Sequence, residues 1–307
     1  MIVDLLKRLC WLSLVLAAVI SCSKSAPPNG DVDQKRSADF ANVAPPSRVV
    51  VIGPSSVETL FALGAGEFIV AVSDFCKDPR AVNLPRVGGQ FDPNLERIAA
   101  LNPDAVITQG SNPRLAELCE QLQILFISLN TDSVQSWLDE VKNMGELFHM
   151  QSSAQSLTDE FQKDYQRLAD AVGTRTKAAI LISRNGVDGM IAVGSGSFLN
   201  ELLQAAGGEN VFADNPNAYF NLSQEALLDA APQVLLDLSI AAASKPNGTG
   251  PSNADVWAEF AIDFPTLPAI ADKRIFALSK DYLFLPGPRM LQTVGTFSEC
   301  LAAPSNR

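Results

Sequence analysis

Residues 48–72 read RVVVIGPSSVETLFALGAGEFIVAV. Arg48 to Gly53 is a short, continuous apolar run rich in β-branched residues, and it predicts a buried strand. Ser55 with Glu58 three positions on predicts a capping box, opening an amphipathic helix through Leu60, Phe61 and Leu63. Gly64 and Gly66 close that helix, and Phe68 to Val72 predicts the next strand. Strand, helix and strand at this spacing are the unit from which a parallel sheet with covering helices is built.

The alternation continues outward. Leu95 to Leu101 predicts a helix, Asn102-Pro103-Asp104 a turn, and Ala105 to Thr108 a strand. Leu115 to Leu122 and Ile124 to Ser128 repeat the pair. It then recurs in the second half. Lys177 to Ser183 predicts a strand, and Ser197 caps a helix over Phe198 to Ala206 that stops at Gly207-Gly208. Ser223 to Leu228, Pro232 and Val234 to Leu236 follow as helix, turn and strand. One constant offset superposes Glu96 on Glu225, Ile98 on Leu227, Pro103 on Pro232 and Val106 on Leu235. A second, longer offset superposes Leu60 on Leu202 and Gly66 on Gly208. Two similar α/β lobes are therefore expected, over 48–150 and 175–307. Between them, Leu157, Phe161, Tyr165, Leu168 and Val172 recur at spacings of three and four, which predicts one long helix with a single apolar stripe over 151–174. It reads either as a connector or as the last helix of the first lobe.

Residues 1–21 read as an export leader. Lys7 and Arg8 precede an uncharged apolar run, Leu9 to Ile20, too short to span a bilayer stably. Val19-Ile20-Ser21-Cys22 resembles a bacterial lipobox, so Cys22 is the expected lipidation site; an uncleaved anchor, or an ordinary signal peptide with an incidental cysteine, is the alternative. The polar stretch 22–47, with Pro27-Pro28 and Asn29-Gly30, reads as lipid anchor and flexible tether. These features place the protein in the bacterial cell envelope, membrane-anchored through its N-terminus. A formal net charge of −11 argues against a nucleic-acid partner. With Cys22 acylated, Cys76, Cys119 and Cys300 remain, which fits one bridge and a free thiol or three buried thiols.

Nothing in the chain spells catalysis. The sole histidine, His149, cannot form a multi-histidine metal cage. No CxxC, HExxH, GxSxG or Walker loop is present, so neither an enzyme nor a resident metal or cofactor is expected. Gly194-Ser195-Gly196-Ser197 reads as a turn and helix cap, or as backbone N–H groups offered to an anion. The loops after the strands carry the side chains of interest: Phe75 in Ser73 to Pro79, Gln90 and Phe91 in Leu84 to Asn94, Tyr219-Phe220, and Lys280 to Phe284. Aromatic rings among polar groups at strand ends suit a bulky ligand in a crevice; a cap on the two cores is the plainer reading. Glu96 and Glu225 each fall in the first turn of a helix. The helix N-terminus favours a carboxylate there, and the duplication equally sets one acidic knob on each lobe for a basic partner.

With these residues, the chain resembles the cobalamin- and iron-siderophore-binding proteins of bacterial ABC importers, and the vitamin B12-binding group among them. The resemblance runs from about Arg48 to Ala302 and rests on Gly53 to Gly64, Pro85-Arg86-Val87-Gly88-Gly89, Asn94 to Ile98, Asn102 to Ile107, Ala206 to Asn210 and Pro286-Gly287-Pro288-Arg289. It implies a class III periplasmic-binding fold: two doubly wound, Rossmann-like lobes joined by one long helix, with the ligand between them. It implies ligand contacts at Phe75, Tyr219, Asp281 and Tyr282, with Phe91 beside them, and permease docking through Glu96 and Glu225. Two tryptophan positions of the vitamin-binding pattern fall near Gln90 and Gln109, so a ferric siderophore or haem joins cobalamin or cobinamide as the expected cargo. Lys77, Arg86, Arg184 and Lys280 are candidate partners for an anionic chelate. The implied partners are an ABC permease dimer with its cytoplasmic ATPase, and the receptor itself is expected to be a monomer. A lipoprotein that binds ligand as a sensor or scaffold is the rival of another class.

Overall fold

Four consecutive β-branched residues, Val49 to Ile52, are wholly buried as strand β1 (Val49–Ile52). Val49 and Val51 pack into a central core, while Val50 and Ile52 pack into a second core on the other face. This two-sided burial is why the run shows no polar alternation. The computed structural model describes residues 40, 43–185, 189–239 and 252–304. The export leader (1–21), Cys22 and most of the tether (22–47) lie outside the described residues.

In the first half, β1, β2 (Ile69–Val72), β3 (Ala105–Gln109) and β4 (Leu125–Leu129) form a parallel sheet in the order β2-β1-β3-β4. Helix α1 (Pro54–Leu63) follows β1 directly. The expected capping box at Ser55 and Glu58 does not form. Proline at the first helical position starts the helix two residues earlier, with Gly53 as the cap residue. Ser55 and Glu58 thus lie inside the helix, both buried, and both reach the other half of the molecule (below). The C-terminus is a Schellman close. Gly64 takes a left-handed conformation, its N–H bonding to Phe61 O and that of Ala65 to Leu60 O. Helices α2 (Leu95–Ala100) and α3 (Pro113–Gln121) supply Ile98, Leu115 and Cys119 to the outer core.

Two helices then run in succession, α4 (Val134–Leu147) and α5 (Gln151–Asp170). The second is the expected long helix, with Ala154, Thr158 and Phe161 buried along its stripe. The first has no counterpart in the sequence reading, although Ser133 and Ser136 cap it reciprocally. His149 sits in the turn between them with φ 54°, exposed. The two helices touch closely at Gly145, where a Cβ would lie 2.4 Å from that of Ala154.

The second half is built from β5 (Thr176–Asn185), β6 (Gly189–Val193), α6 (Phe198–Ala205), β7 (Gly208–Asn210), β8 (Tyr219–Leu222), α7 (Gln224–Ala230), β9 (Val234–Asp237), α8 (Asn253–Asp263), α9 (Pro268–Ala271), β10 (Ile275–Ala277) and α10 (Met290–Ala302). Its sheet runs β10-β9-β5-β6-β8, with β7 also beside β5. It is mixed, because β6 is antiparallel to both β5 and β8. The outer face of this sheet is covered by α7, α8 and α9 through Leu227, Val256, Phe260 and Ile270.

Two turns related by the first offset share a backbone conformation. Asn102 and Ala231, related by the same offset as Glu96 and Glu225, both adopt left-handed backbone, at φ 45° and φ 44°. Each stands before a proline and a strand, and Ile98 and Leu227 are both fully buried. The two lobes nevertheless share one central core, formed by the inner faces of both sheets with α1, α4, α5, α6 and α10. Trp137 of α4 lies at its middle, 1 % exposed. Its Nε1–H donates to Thr59 Oγ1 at 3.0 Å, and its ring lies 4.6 Å from Phe161. Cys76, Cys119 and Cys300 are free and buried, the second of the two arrangements the sequence allowed.

The close approach at Gly145 is testable. Gly145→Ala raises helix propensity by about 1 kcal/mol, but the added methyl overlaps Ala154 and overpacking costs roughly 1–3 kcal/mol. Urea unfolding followed by circular dichroism should show a net loss of stability. Adding Ala154→Gly should recover more than the two single changes sum to; strict additivity would show that the helices do not meet here.

Candidate ligand cleft

A cleft of about 350 Å³ opens between the halves. The first half contributes Pro54 and Glu58 from α1, and Phe75 and Lys77 from the loop after β2. The second half contributes Ile182 from β5 and a run near the chain end: Asp281, Phe284, Leu285 and Arg289. The volume lies near the lower end for small-molecule sites, so a larger guest stays partly in solvent or enters as the lobes part.

The floor is held by charge pairing. Arg289, at the cap position of α10, donates to both carboxylate oxygens of Glu58, with Nε 2.9 Å from Oε2. Its Nη1 also donates to Asp281 Oδ1 at 3.2 Å. The Glu58 side chain is 7 % exposed, so this is a buried pair joining the two halves. Donating these bonds to the Glu58 carboxylate pushes the guanidinium pKa above its already high value. One turn back on α1, the Ser55 hydroxyl donates to Pro286 O. A second link lies outside the cleft, where Val134 N–H at the start of α4 donates to Glu201 Oε2 of α6 at 3.1 Å. Beside the cleft, Asp78 accepts from Arg80 through the backbone N–H and Nε, both at 2.9 Å, and through Nη2 at 2.6 Å. These bonds hold the Asp78 carboxyl below its usual range. Arg80 also lies 4.4 Å from the centroid of the Phe61 ring.

The expected site residues fall into three groups. Phe75 and Asp281 line the cleft, and the Phe75 ring is 69 % exposed. Tyr282 lies just beneath, its hydroxyl bonded to Thr296 Oγ1 at 2.9 Å and its ring 5.5 Å from the Arg289 guanidinium. Gln90, Phe91, Gln109 and Tyr219 do not line this cleft. Gln90 Nε2 donates to Gln109 O, and Gln109 Nε2 to Thr131 Oγ1, each at 2.7 Å. Asn112 Nδ2 closes the set on Gln90 O at 3.2 Å. The two glutamines thus form an amide network on the first lobe. Phe91 is 91 % exposed. Tyr219 is 43 % exposed on β8; desolvation raises its pKa, and nearby Asp132 of the first half adds to the rise.

Among the four basic candidates, only Lys77 lines the cleft. It is exposed and has no ion-pair partner among the described residues. Arg86 braces its own loop by donating to Ser73 O at 3.0 Å and Cys76 O at 2.8 Å. Arg184 is committed to Asp237 at 2.7 Å and Glu259 at 2.8 Å. Lys280 is exposed beside the cleft. The anion option at Gly194 to Ser197 is closed. Gly194 N–H bonds to Ala218 O, Ser195 N–H to Asn215 O, and Ser197 caps α6.

Glu96 and Glu225 occupy the second position of α2 and α7, both exposed. The helix starts match as well. Asn94 Oδ1 accepts from Arg97 N–H at 2.9 Å, and Ser223 Oγ from Ala226 N–H at 3.1 Å. Pro54, Glu58, Ile182, Leu285 and Arg289 line the cleft without having been expected there from the sequence. A usable signal existed for one of them, since Glu58 is the lone charge in an otherwise apolar and hydroxyl-bearing helix.

Two α/β lobes with a lined cleft at their junction define a ligand carrier of the two-lobed type. The profile of the periplasmic binding protein family matches residues 49–282, and the chain belongs to that family. Its members are transport carriers without catalytic activity. The chain is 26 % identical over 260 residues to the vitamin B12-binding protein of Vibrio campbellii, covering 84 % of this chain and 90 % of that protein. Among solved structures it is similar to the periplasmic vitamin B12-binding protein of Vibrio cholerae, with TM-score 0.68 and 26 % identity over 84 % of this chain and 97 % of that one. The periplasmic haem-binding protein of Vibrio cholerae shares the fold at TM-score 0.74 and 21 % identity, covering 83 % and 99 %.

Removing the cation from a buried pair leaves an uncompensated charge. Arg289→Met should therefore lower the unfolding free energy by about 3 kcal/mol or more. Pairing it with Glu58→Gln should restore much of the loss in denaturant titrations, and no restoration would mean the pair is uncoupled. Asp78 gives a pH test. Because its folded pKa is lowered, its contribution is full above the unfolded value of about 3.9 and fades as pH falls through the lower folded value. Asp78→Asn should be less stable than the parent at pH 7, with the gap narrowing only below about pH 4.

Proposed function

We propose that this protein is the membrane-anchored receptor of a bacterial ABC importer, which captures a bulky metal–organic complex and delivers it to a permease. The observation that carries this reading is the pairing of an aromatic-lined cleft between two lobes with one exposed glutamate on each lobe, at equivalent positions of equivalently capped helices. Phe75 and Phe284 offer ring and apolar surface to a broad ligand. Lys77 supplies a donor to a peripheral oxygen, and Asp281 an acceptor. Glu96 and Glu225 engage basic groups on the two permease subunits, and such contacts set register and orientation as well as affinity.

The cargo proposed first is a corrinoid, cobalamin or cobinamide, in keeping with the similarity to vitamin B12-binding proteins of Vibrio. A ferric siderophore or haem is the second reading, favoured by the amide network of Gln90 and Gln109 where ring surface would serve a corrinoid. Those two residues, with Phe91 and Tyr219, would meet the ligand's outer edge. The working division of the chain is leader 1–21, acylated Cys22 and tether 22–47, lobes 48–150 and 175–307, and linker 151–174. The receptor acts as a monomer, tethered on the periplasmic side.

Transport is separated from sensing by Glu96→Arg combined with Glu225→Arg, in cells lacking their own receptor. Uptake of radiolabelled cyanocobalamin should fall at least tenfold while the affinity of the purified variant stays within twofold of the parent. Unchanged uptake would overturn the docking reading and favour a sensor or scaffold. Failure of both cyanocobalamin and cobinamide to bind at micromolar concentration would overturn the corrinoid.

A further inference from the structure

We propose that the cleft accepts only metal complexes that arrive with their inner coordination shell complete, such as a corrinoid with both axial positions filled or a hexadentate ferric chelate, and that it discriminates against free haem, whose iron needs an axial ligand from the protein. The proposal rests on the importer reading and narrows its cargo.

Haem iron is held by histidine, tyrosine, cysteine or methionine. The chain has one histidine, three tyrosines, five cysteines and five methionines, and among the described residues none of these lines the cleft. Met1, Cys10 and Cys22 lie outside the described residues. His149 lies in the turn between α4 and α5. Tyr165 donates to Glu201 O at 3.1 Å, and Tyr282 is bonded to Thr296. Cys76, Cys119 and Cys300 are buried thiols, and burial pushes Cys119 and Cys300 up to about 11 and about 12, away from the thiolate that binds metal. Met144, Met190 and Met290 are buried, and Met150 packs on the central core. Tyr219 is the most exposed of the three phenols, at 43 %. Desolvation disfavours its phenolate, the form that ligates ferric iron.

What does line the cleft is suited to a ligand's periphery. Pro54, Phe75, Ile182, Phe284 and Leu285 are apolar. The Glu58 carboxylate, which could otherwise meet a metal, has both oxygens bonded to Arg289, and Lys77 as an ammonium has donors but no lone pair. Asp281 accepts from Arg289 through Oδ1, and a carboxylate is not among the side chains that hold haem iron. The surface contacts rings and edges and offers haem iron none of its usual ligands.

The test uses leader-free protein with Cys22→Ala, titrated with cyanocobalamin, ferrioxamine B and haemin and followed by absorption and by quenching of tryptophan fluorescence. Cyanocobalamin or ferrioxamine B should bind at least tenfold more tightly than haemin, and haemin should show no ligation-type Soret shift or charge-transfer band. A Soret shift with wild-type protein that vanishes in Tyr219→Phe or His149→Ala would overturn the proposal and identify the ligand. Any other ligation-type shift, or haemin binding within tenfold of the better saturated complex, would overturn it equally. Each of these leaves the importer reading standing. If none of the three binds, the importer reading falls, and this proposal with it.

Discussion

The pairing of Arg289 with Glu58 is the interaction on which the arrangement of the two halves turns. Glu58 is buried at the start of the first lobe, where an unpaired carboxylate would be strongly unfavourable. Its partner comes from the cap position of the last helix, near the other end of the described chain. Ser55 reinforces the contact through Pro286 O. The chain ends of the fold are thereby tied at the base of the cleft, and the tie sets the position of Asp281 and of the Tyr282 ring beneath the guanidinium. A pair with this geometry gives direction to a junction that apolar packing alone would leave free to slide.

The same tie shapes the chemistry of the cleft. With Arg289 neutralised by two carboxylates, the floor carries no net invitation to an anion. The exposed Lys77 stands apart from that cluster. Around it the lining is apolar and aromatic, so selection rests on shape and surface with a few orienting contacts, as small-molecule sites generally do. The continuous central core, with Trp137 bonded to Thr59 and packed on Phe161, couples α1 to α4 and α5. Any movement of one lobe against the other must therefore be small or must repack that core, because close-packed interiors do not deform gradually.

Much of this architecture was legible in the chain. The wholly apolar run Val49–Ile52 announced a strand buried on both faces, and the offset of Glu96 and Glu225 announced a repeated unit. Other features depended on contacts remote in sequence. Glu58 looked like a helix cap because Ser55 stood three residues before it; Pro54 moved the helix start and released both side chains for partners some 230 positions away. Helix α4 escaped notice because its cap uses serine at both positions of the box in place of the usual acidic residue. The antiparallel β5–β6 pair departs from the α/β rhythm of the chain, which predicts parallel strands joined by crossovers. Gln90 and Gln109 were placed by analogy, and the amide network that joins them could not be anticipated from spacing.

Asn102 and Ala231 share a left-handed backbone at corresponding turns. Asparagine tolerates that conformation through local hydrogen bonding, whereas alanine has no such compensation and takes a strain of about 1 kcal/mol or more. Its persistence at Ala231 means that the following proline and buried strand dictate the turn, and the side chain merely submits to it. Where two stretches of one chain follow the same helix–turn–strand path, then, the main chain can hold its course without the residue best suited to it. The constraint is written in torsion angles and not in the letter at the turn.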